Sequence, residues 1–207
     1  MKLIALHGLP RSGKDTIADY LVGNYEFGKE SFAAGLYREV AKAFRVTIEQ
    51  LQSHEWKTTP QHSMIIANCQ SPAFISSMVE EGMLHRDLNK PRTSRDILQL
   101  WGTEYRRQQQ KDYWCKALAG RLRSAYAAWN TVITDVRFSD EAEVIKSLGG
   151  HIWLIKRPTC IHTGHISDDP LPLKYISAIL LNDDSIKKLY TQVDILMENI
   201  NGKIITG

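Results

Sequence analysis

Short apolar runs alternate with longer amphipathic stretches along this chain. Runs of strand length lie at 3–6, 27–32, 131–134, 151–155 and 176–181, of which the second is weak. Apolar side chains recur at helical spacing over 14–25, 36–44, 93–107, 112–129, 139–148 and 184–199. Alternation of strands with helices is typical of βα units and a parallel sheet. The pattern therefore predicts an α/β fold with about five parallel strands.

Two segments depart from this alternation. Residues 53–92 are polar and contain three prolines, and we interpret them as part of an insertion over 46–130 that covers a substrate. Residues 156–172 form a polar loop between the last two strands. We predict that this loop is a lid that closes over bound phosphates with Arg157 pointing inward. A static surface loop is the alternative.

The first strand leads into a glycine-rich loop, G-x-x-x-x-G-K, at residues 8–14. Strand, loop and helix start follow one another as a phosphate-binding loop requires. Gly8 and Gly13 permit the tight turn, the helix start adds a positive dipole end, and Lys14 adds a mobile charge. Asp15 stands where a Ser or Thr usually contacts Mg²⁺, and the hydroxyl follows at Thr16. The alternative, a glycine-rich turn with a surface lysine, explains this register less well.

Polar side chains follow other predicted strands at their carboxyl ends. Asp135 and Arg137 follow 131–134, Arg157 follows 151–155, and Asn182 follows 176–181. Ligands of open parallel sheets bind outside these strand ends. We therefore expect Asp135 to act in the site. Its alternative role is to cap the helix that starts near residue 139.

Transfer of a phosphoryl group requires several cations to converge on two polyanions. The candidate cations are Arg11, Lys14, Arg38, Lys57, Arg95, Arg106, Arg107, Arg137 and Arg157. Aromatic residues near them could stack on a base, but aromatics at helical spacing more often pack in a core. These aromatics are Trp56, Trp101, Tyr105, Tyr113 and Trp114.

Composition narrows the function classes. A formal net charge of +3 is too small to indicate nucleic-acid binding, and no apolar run is long enough to span a membrane. Three cysteines without metal-type spacing indicate reduced thiols, and His162 and His165 lack the partners of a zinc site. We expect a cytoplasmic enzyme with small-molecule partners. The oligomeric state, including a homodimer, is open.

With these motifs in view, the chain resembles the deoxynucleoside monophosphate kinases of tailed bacteriophages. The resemblance is carried by separate blocks: Arg11–Thr16 with its acidic residue after lysine, Ala34–Arg38, Arg95–Glu104 as R-x-x-L-Q-x-x-G-T-E, Asp135–Arg137 as D-x-R, Arg157-Pro158, His165–Asp168, and Asn182–Ser185 with Asp184 in place of a glycine. Residues 46–92 match poorly, so the resemblance carries over no base preference.

The resemblance implies a three-layer α/β/α P-loop fold of the nucleoside monophosphate kinase type. It implies host-cytoplasmic phosphorylation of deoxynucleoside monophosphates, with ATP and Mg²⁺. The ATP contacts would be Gly8, Arg11, Ser12, Gly13, Lys14, Asp15, Thr16 and Asn182. The acceptor contacts would be Arg38, Lys57, Arg95, Gln99, Arg107, Asp135 and Arg137. Lys14, Arg137 and Arg157 would be catalytic, and Asp15 and Thr16 would hold Mg²⁺ directly or through water.

Two other functions stay open on the residues alone. A similar Gly-Lys-Asp loop and a D-x-R occur in animal phosphomevalonate kinases, so the acceptor could be a phosphate ester that is not a nucleotide. A P-loop protein could also bind nucleotide without transferring phosphate.

Overall fold

The computed structural model describes residues 2–124, 129–161 and 169–202. The chain divides into two compact units. One, which we call the sheet unit, comprises Met1–Phe32 and Ala119–Gly207, and the other, the helical unit, comprises Ala33–Leu118.

The sheet unit is built on five parallel strands, which confirms the predicted fold class. The strands are β1 (Leu3–His7), β2 (Phe27–Glu30), β3 (Asn130–Ile133), β4 (His151–Lys156) and β5 (Ile176–Leu181). Their order is β2-β3-β1-β4-β5. β1 is therefore central, and β3 and β4 pair with it on either side. Loops that follow β1, β3 and β4 consequently leave the same edge of the sheet as neighbours.

Helices cover both faces of the sheet, in three layers. The α-helices of this unit are α1 (Lys14–Tyr25), α9 (Ser139–Ser147) and α10 (Ile186–Ile200). Ile17 of α1 and Val193 of α10 share one buried cluster with Ile4 and Trp153 of the strands. α9 lies against the opposite face, where Ile145 and the alternate-facing Leu3 crowd Gly150 so closely that a Cβ there would lie 2.6 Å from Ile145 Cγ2.

The helical unit contains short helices around its own core. Two helices cross the boundary between the units, α2 (Phe32–Phe44) and α8 (Tyr113–Ser124), and the others are α3 (Ile48–Gln52), α4 (His54–Thr58), α5 (Pro72–Glu80), α6 (His85–Leu88) and α7 (Ser94–Gln99). Phe74, Met78 and Ile97 are fully buried in its core. The unit begins within α2 and ends within α8, whereas the sequence placed an insertion over 46–130.

The predicted helix 93–107 changes type partway. Thr93 and Asp96 form a capping box at the start of α7, but from Leu100 to Arg107 the chain continues as a π-helix. Hydrogen bonds then close over five residues instead of four, which rotates the later side chains relative to α-helical spacing. The helix predicted over 112–129 is found as α8, and residues 125–128 lie outside the described residues. Among the described helices, none has the length and apolar character needed to cross a membrane.

Candidate active site

Strained backbone shapes the loop between β1 and α1. Gly8, Arg11 and Gly13 have φ of 151°, 64° and 108°, all in the left-handed region. A Cβ on Gly8 would lie 2.5 Å from the carbonyl oxygen of Ile155, and one on Gly13 would lie 2.7 Å from Asn182 Nδ2. Glycine is thus required at both places by conformation and by space.

Side chains of three residues hold carbonyl groups of this loop. Lys14 Nζ donates to the carbonyl oxygens of Gly8 and Leu9, both at 2.7 Å. Arg157 Nη1 donates to Arg11 O at 3.2 Å, and Asn182 Nδ2 donates to Ser12 O at 2.8 Å. These bonds, together with the bond from the Ser12 N–H to Leu9 O at 3.2 Å, fix the orientation of the peptide groups of the loop.

The interior of the loop suits a phosphate group. Gly13 occupies the N-cap position of α1, so no side chain caps the first N–H groups of that helix. Ser12 is 1% exposed, and its Oγ has no hydrogen-bond partner among the described residues. A phosphate oxygen would satisfy both kinds of donor. The predicted contacts at Gly8, Arg11, Ser12 and Gly13 thus lie in one cradle.

Side-chain oxygens of Asp15 and Thr16 lie beside the cradle. Thr16 lines a small cleft of about 190 Å³ together with Asp15, Arg157 and Asn182. The Asp15 side chain is 84% exposed, and Lys29 Nζ lies 3.7 Å from its Oδ1. Mg²⁺ usually takes one or two protein oxygens and completes its shell with phosphate and water. The side-chain oxygens of Asp15 and Thr16 match this coordination preference.

A second cleft, of about 360 Å³, lies between the loop and the end of β3. Lys14 and Asp15 lie on one wall, and Asp135 and Arg137 lie on the other. The structure therefore brings the predicted D-x-R residues to the predicted phosphate loop. β1 and β3 are paired neighbours, which explains why residues so distant in sequence meet here.

Asp135 has a different structural partner from the one weighed in the sequence. Its Oδ1 accepts a hydrogen bond of 2.8 Å from the backbone N–H of Phe32, the first residue of α2. The helix that starts at Ser139 is held instead by Glu141, whose Oε2 accepts from the N–H groups of Arg137 and Phe138 at 2.8 and 3.3 Å. The described contacts therefore assign the start of that helix to Glu141 and join Asp135 to the start of α2.

Glu141 is a buried carboxylate that sequence reasoning missed. It is 4% exposed, and burial raises its pKa to about 7, against the lowering effect of the hydrogen bond from Arg137. It lies in the first turn of α9 and accepts hydrogen bonds from the backbone of the turn at Asp135–Arg137 and from the residue that follows it. The available signal was a glutamate four residues after Arg137, at the start of a predicted helix.

His7 is a second missed residue. It is the last residue of β1, directly before Gly8, and is 5% exposed. Its Nδ1 lies 3.0 Å from the carbonyl oxygen of Val136, and the N–H of Leu171 donates to its Nε2 at 3.2 Å. Burial lowers its pKa, and the charge of Lys14 adds to that lowering. Period-two alternation in a strand does not distinguish such a histidine from an ordinary buried residue.

The remaining predicted acceptor contacts lie in the helical unit. Arg38 on α2 and Arg95 and Gln99 on α7 are exposed, and Lys57 and Arg107 are half-buried. Arg95 and Gln99 are four residues apart and share one face of α7. Arg106, another candidate cation, forms an ion pair with Glu39, in which its Nε donates to Glu39 Oε2 at 2.7 Å.

Core packing explains most of the aromatic residues of this unit. Trp101, Tyr105 and Trp114 are 3%, 4% and 6% exposed. Trp101 Nε1 and Tyr113 Oη also donate to Glu39. The core interpretation of Trp101, Tyr105 and Trp114 is therefore confirmed.

The structure describes Arg157 and two parts of the predicted lid, residues 156–161 and 169–172. Arg157 is exposed and bonded to the phosphate loop through Arg11 O. Residues 162–168, which include His162, His165 and Asp168, lie outside the described residues. Closure of 156–172 therefore stays a prediction. In the described ranges, no group of three His, Cys, Asp or Glu side chains is placed to hold a metal ion.

Substitution of Gly8 by alanine tests the cradle. The new Cβ would clash with Ile155 O and lie 2.9 Å from Ser12 Oγ, in a left-handed conformation. We expect the free energy of unfolding to fall by about 1–3 kcal/mol, measured by urea denaturation.

Gly23→Ala is the matched control because, apart from the neighbouring residues and the backbone of α1 itself, nothing lies within 4 Å of the added Cβ. Alanine there should raise stability by about 0.5–1 kcal/mol. Equal effects of the two substitutions would contradict the steric argument.

Comparison with known proteins identifies the family of this chain. A model of the family "Deoxynucleotide monophosphate kinase" matches residues 61–193. A protein of Acanthamoeba polyphaga mimivirus, whose name provisionally makes it a deoxynucleotide monophosphate kinase, is 31% identical over 96% of this chain and 97% of its own length. The deoxynucleotide monophosphate kinase of Enterobacteria phage T4 is 23% identical over 93% of this chain and 97% of its own.

Among solved structures, a gluconokinase from Sinorhizobium meliloti 1021 aligns over 98% of this chain and 97% of its own. The TM-score is 0.39 and the identity 12%, too low for any argument about function. The family match covers well over half of the chain, and the mimivirus relative spans nearly all of it. The chain therefore belongs to the deoxynucleotide monophosphate kinase family and is a phosphotransferase.

Proposed function

We propose that this kinase transfers the γ-phosphoryl group of ATP to a deoxynucleoside 5′-monophosphate and releases ADP and the diphosphate. The observation that carries the proposal is the cleft between the phosphate loop and the D-x-R turn. Lys14 and Arg137 line opposite walls of this cleft, so one phosphate held at each wall would place donor and acceptor side by side. The names of the relatives support the choice of a deoxynucleotide acceptor.

The loop residues would bind the donor. The N–H groups of the cradle and Lys14 would hold the β- and γ-phosphates, and Ser12 Oγ would donate to a phosphate oxygen. To reach them, Lys14 Nζ would leave the carbonyl oxygens of Gly8 and Leu9. Asp15 and Thr16 would hold Mg²⁺, which when bound neutralises charge on the β- and γ-phosphates. Arg157 and Asn182 would line the donor side of the loop.

Cationic side chains would bind the acceptor. Arg137 would form a fork to its 5′-phosphate. The roles of Arg38, Lys57, Arg95, Gln99 and Arg107 in acceptor binding stay predictions from the sequence. The acceptor phosphate is anionic at neutral pH and needs no general base, so the work of these residues is positioning and charge neutralisation.

Substitution of Arg137 by alanine should raise the KM for the monophosphate about 10- to 100-fold, because a charge-assisted hydrogen bond contributes about 1.5–3 kcal/mol. The KM for ATP should change by less than about twofold. Steady-state kinetics with each substrate varied in turn measures both constants.

Arg123→Ala on α8 is the matched control, because it removes an exposed arginine outside the clefts described above. Loss of ATP affinity with acceptor affinity kept in Arg137→Ala would mean that donor and acceptor are assigned to the wrong sides of the loop.

The decisive experiment is a coupled assay of ADP release with the four deoxynucleoside monophosphates and their ribose counterparts. We expect ADP release with at least one deoxynucleotide, above the rate without acceptor. Release with phosphomevalonate alone would indicate a different acceptor. ATP binding without ADP release for any acceptor would indicate a nucleotide-binding protein that is not a catalyst.

A further inference from the structure

His7 connects three segments at the carboxyl ends of the strands. Its ring ends β1, meets the D-x-R turn at Val136 O, and meets the return toward β5 at the N–H of Leu171. A backbone N–H can only donate, so Nε2 accepts from Leu171. Nδ1 therefore carries the proton and donates to Val136, and the ring is neutral in one tautomer.

The bond to Val136 fixes the turn between its two functional side chains. Val136 lies between Asp135 and Arg137 and is itself 2% exposed. Glu141 accepts from the next N–H along the turn, that of Arg137. The peptide group between Val136 and Arg137 is therefore hydrogen-bonded at its oxygen to His7 and at its nitrogen to Glu141. These two bonds fix the orientation of the peptide, and with it the direction of the Cα–Cβ bond of Arg137.

Both ring nitrogens of His7 are used by these backbone groups, so the ring has no lone pair to offer to a substrate. Its place directly before Gly8 also ties the turn to the phosphate loop itself. A displacement of about 1 Å between reacting groups is enough to slow a reaction substantially.

We propose that His7 is a positioning residue that sets the D-x-R turn, and with it Arg137, relative to the phosphate loop. The effect on acceptor binding rests on the proposed function, whereas the two hydrogen bonds do not. Of these bonds, the one to Val136 acts on the acceptor side. The one to Leu171 anchors the stretch 169–172.

Two amide variants separate the two bonds. In His7→Asn the side-chain nitrogen replaces Nδ1 and can still donate to Val136 O, but nothing reaches Leu171. In His7→Gln the side-chain oxygen replaces Nε2 and can still accept from Leu171, but the donor to Val136 is lost. Both variants keep a neutral polar side chain, so each is the control for the other.

The test combines kinetics with amide hydrogen exchange, after thermal unfolding has shown that both variants are folded. His7→Gln should raise the KM for the monophosphate about 5- to 10-fold, the equivalent of one hydrogen bond, and leave the KM for ATP within about twofold. His7→Asn should keep the acceptor KM near that of the wild type. Exchange at the Leu171 amide should speed up in His7→Asn and stay slow in His7→Gln.

Other outcomes overturn the proposal. Equal changes in acceptor KM for both variants, or lower thermal stability with unchanged KM, would reduce His7 to a packing residue. If one variant fails to fold, the other still decides, since each has its own predicted pair of KM and exchange results. If the wild type phosphorylates no deoxynucleotide, the proposed function fails, and Leu171 exchange still shows whether His7 grips the segment as described.

Discussion

Substitution of Lys14 by alanine is expected to lower kcat by about 10²–10³ while the protein stays folded. The side chain is half-buried and its Nζ is held over the loop by Gly8 O and Leu9 O, each at 2.7 Å. The ammonium group therefore already lies at the cradle, and moving onto a phosphate exchanges two neutral acceptors for a charged one. Loss of this preorganised charge removes stabilisation of the transferring group.

The measurement is kcat from ADP release at saturating ATP and acceptor, with circular dichroism to show that the fold is kept. Lys146→Ala is the matched control, because Lys146 is exposed on α9 and donates only to Ser177 Oγ at 3.3 Å among the contacts resolved here. Near-normal turnover of Lys14→Ala would remove the assignment of this loop to the donor phosphates.

The local parts of the site could be predicted from the sequence because their chemistry is contiguous. The strand, the two glycines and Lys14 occupy one short stretch, and α1 runs over the residues predicted for it, Lys14–Tyr25. Strand positions were predicted to within a residue or two, since buried parallel strands are continuous apolar runs. The weak second strand ends at Glu30 rather than at 32.

Contacts between distant segments could not be predicted in the same way. Asn182 donates a hydrogen bond to Ser12 O, 170 residues away in the sequence. The spacing of apolar residues predicts local helices and strands and does not predict such a long-range bond. Asn182 was predicted as a cofactor contact, and the structure adds its hydrogen bond to the loop at Ser12 O. His7 and Glu141 escaped notice because a buried polar residue looks like a break in an apolar pattern until its partners are known.

The helical unit shows a different limit. The helix from residue 93 was predicted from apolar spacing, but the change to a π-helix at Leu100 was not. One additional residue per hydrogen-bonded loop leaves no clear mark on a pattern of eight residues. Arg107 therefore lies on a different face from the one that α-helical spacing from Arg95 and Gln99 would give.

Substitution of Glu141 by glutamine is expected to stabilise the protein relative to wild type at pH 8 and to lose that advantage at low pH. Glu141 is buried, and its pKa is raised from 4.5 to about 7. A raised carboxyl pKa means that the folded state prefers the protonated form. The favourable contribution is therefore complete below the unfolded pKa of 4.5 and is lost as the pH rises through about 7. At about 1.4 kcal/mol per pKa unit, the full loss amounts to about 3 kcal/mol.

Glutamine removes this titration and keeps the turn. Both hydrogen bonds from the D-x-R backbone end on the same oxygen, Oε2, so a neutral amide oxygen can accept them both. Urea denaturation of the two proteins at several values between pH 4 and pH 8 gives the gap in unfolding free energy. Glu143→Gln is the control for the change in net charge, because Glu143 is exposed on the same helix and an amide oxygen there can still accept the hydrogen bond from Tyr175 Oη. A gap that does not widen with pH would mean that the pKa of Glu141 is not raised in the folded state, because the N–H groups of the turn stabilise its charge.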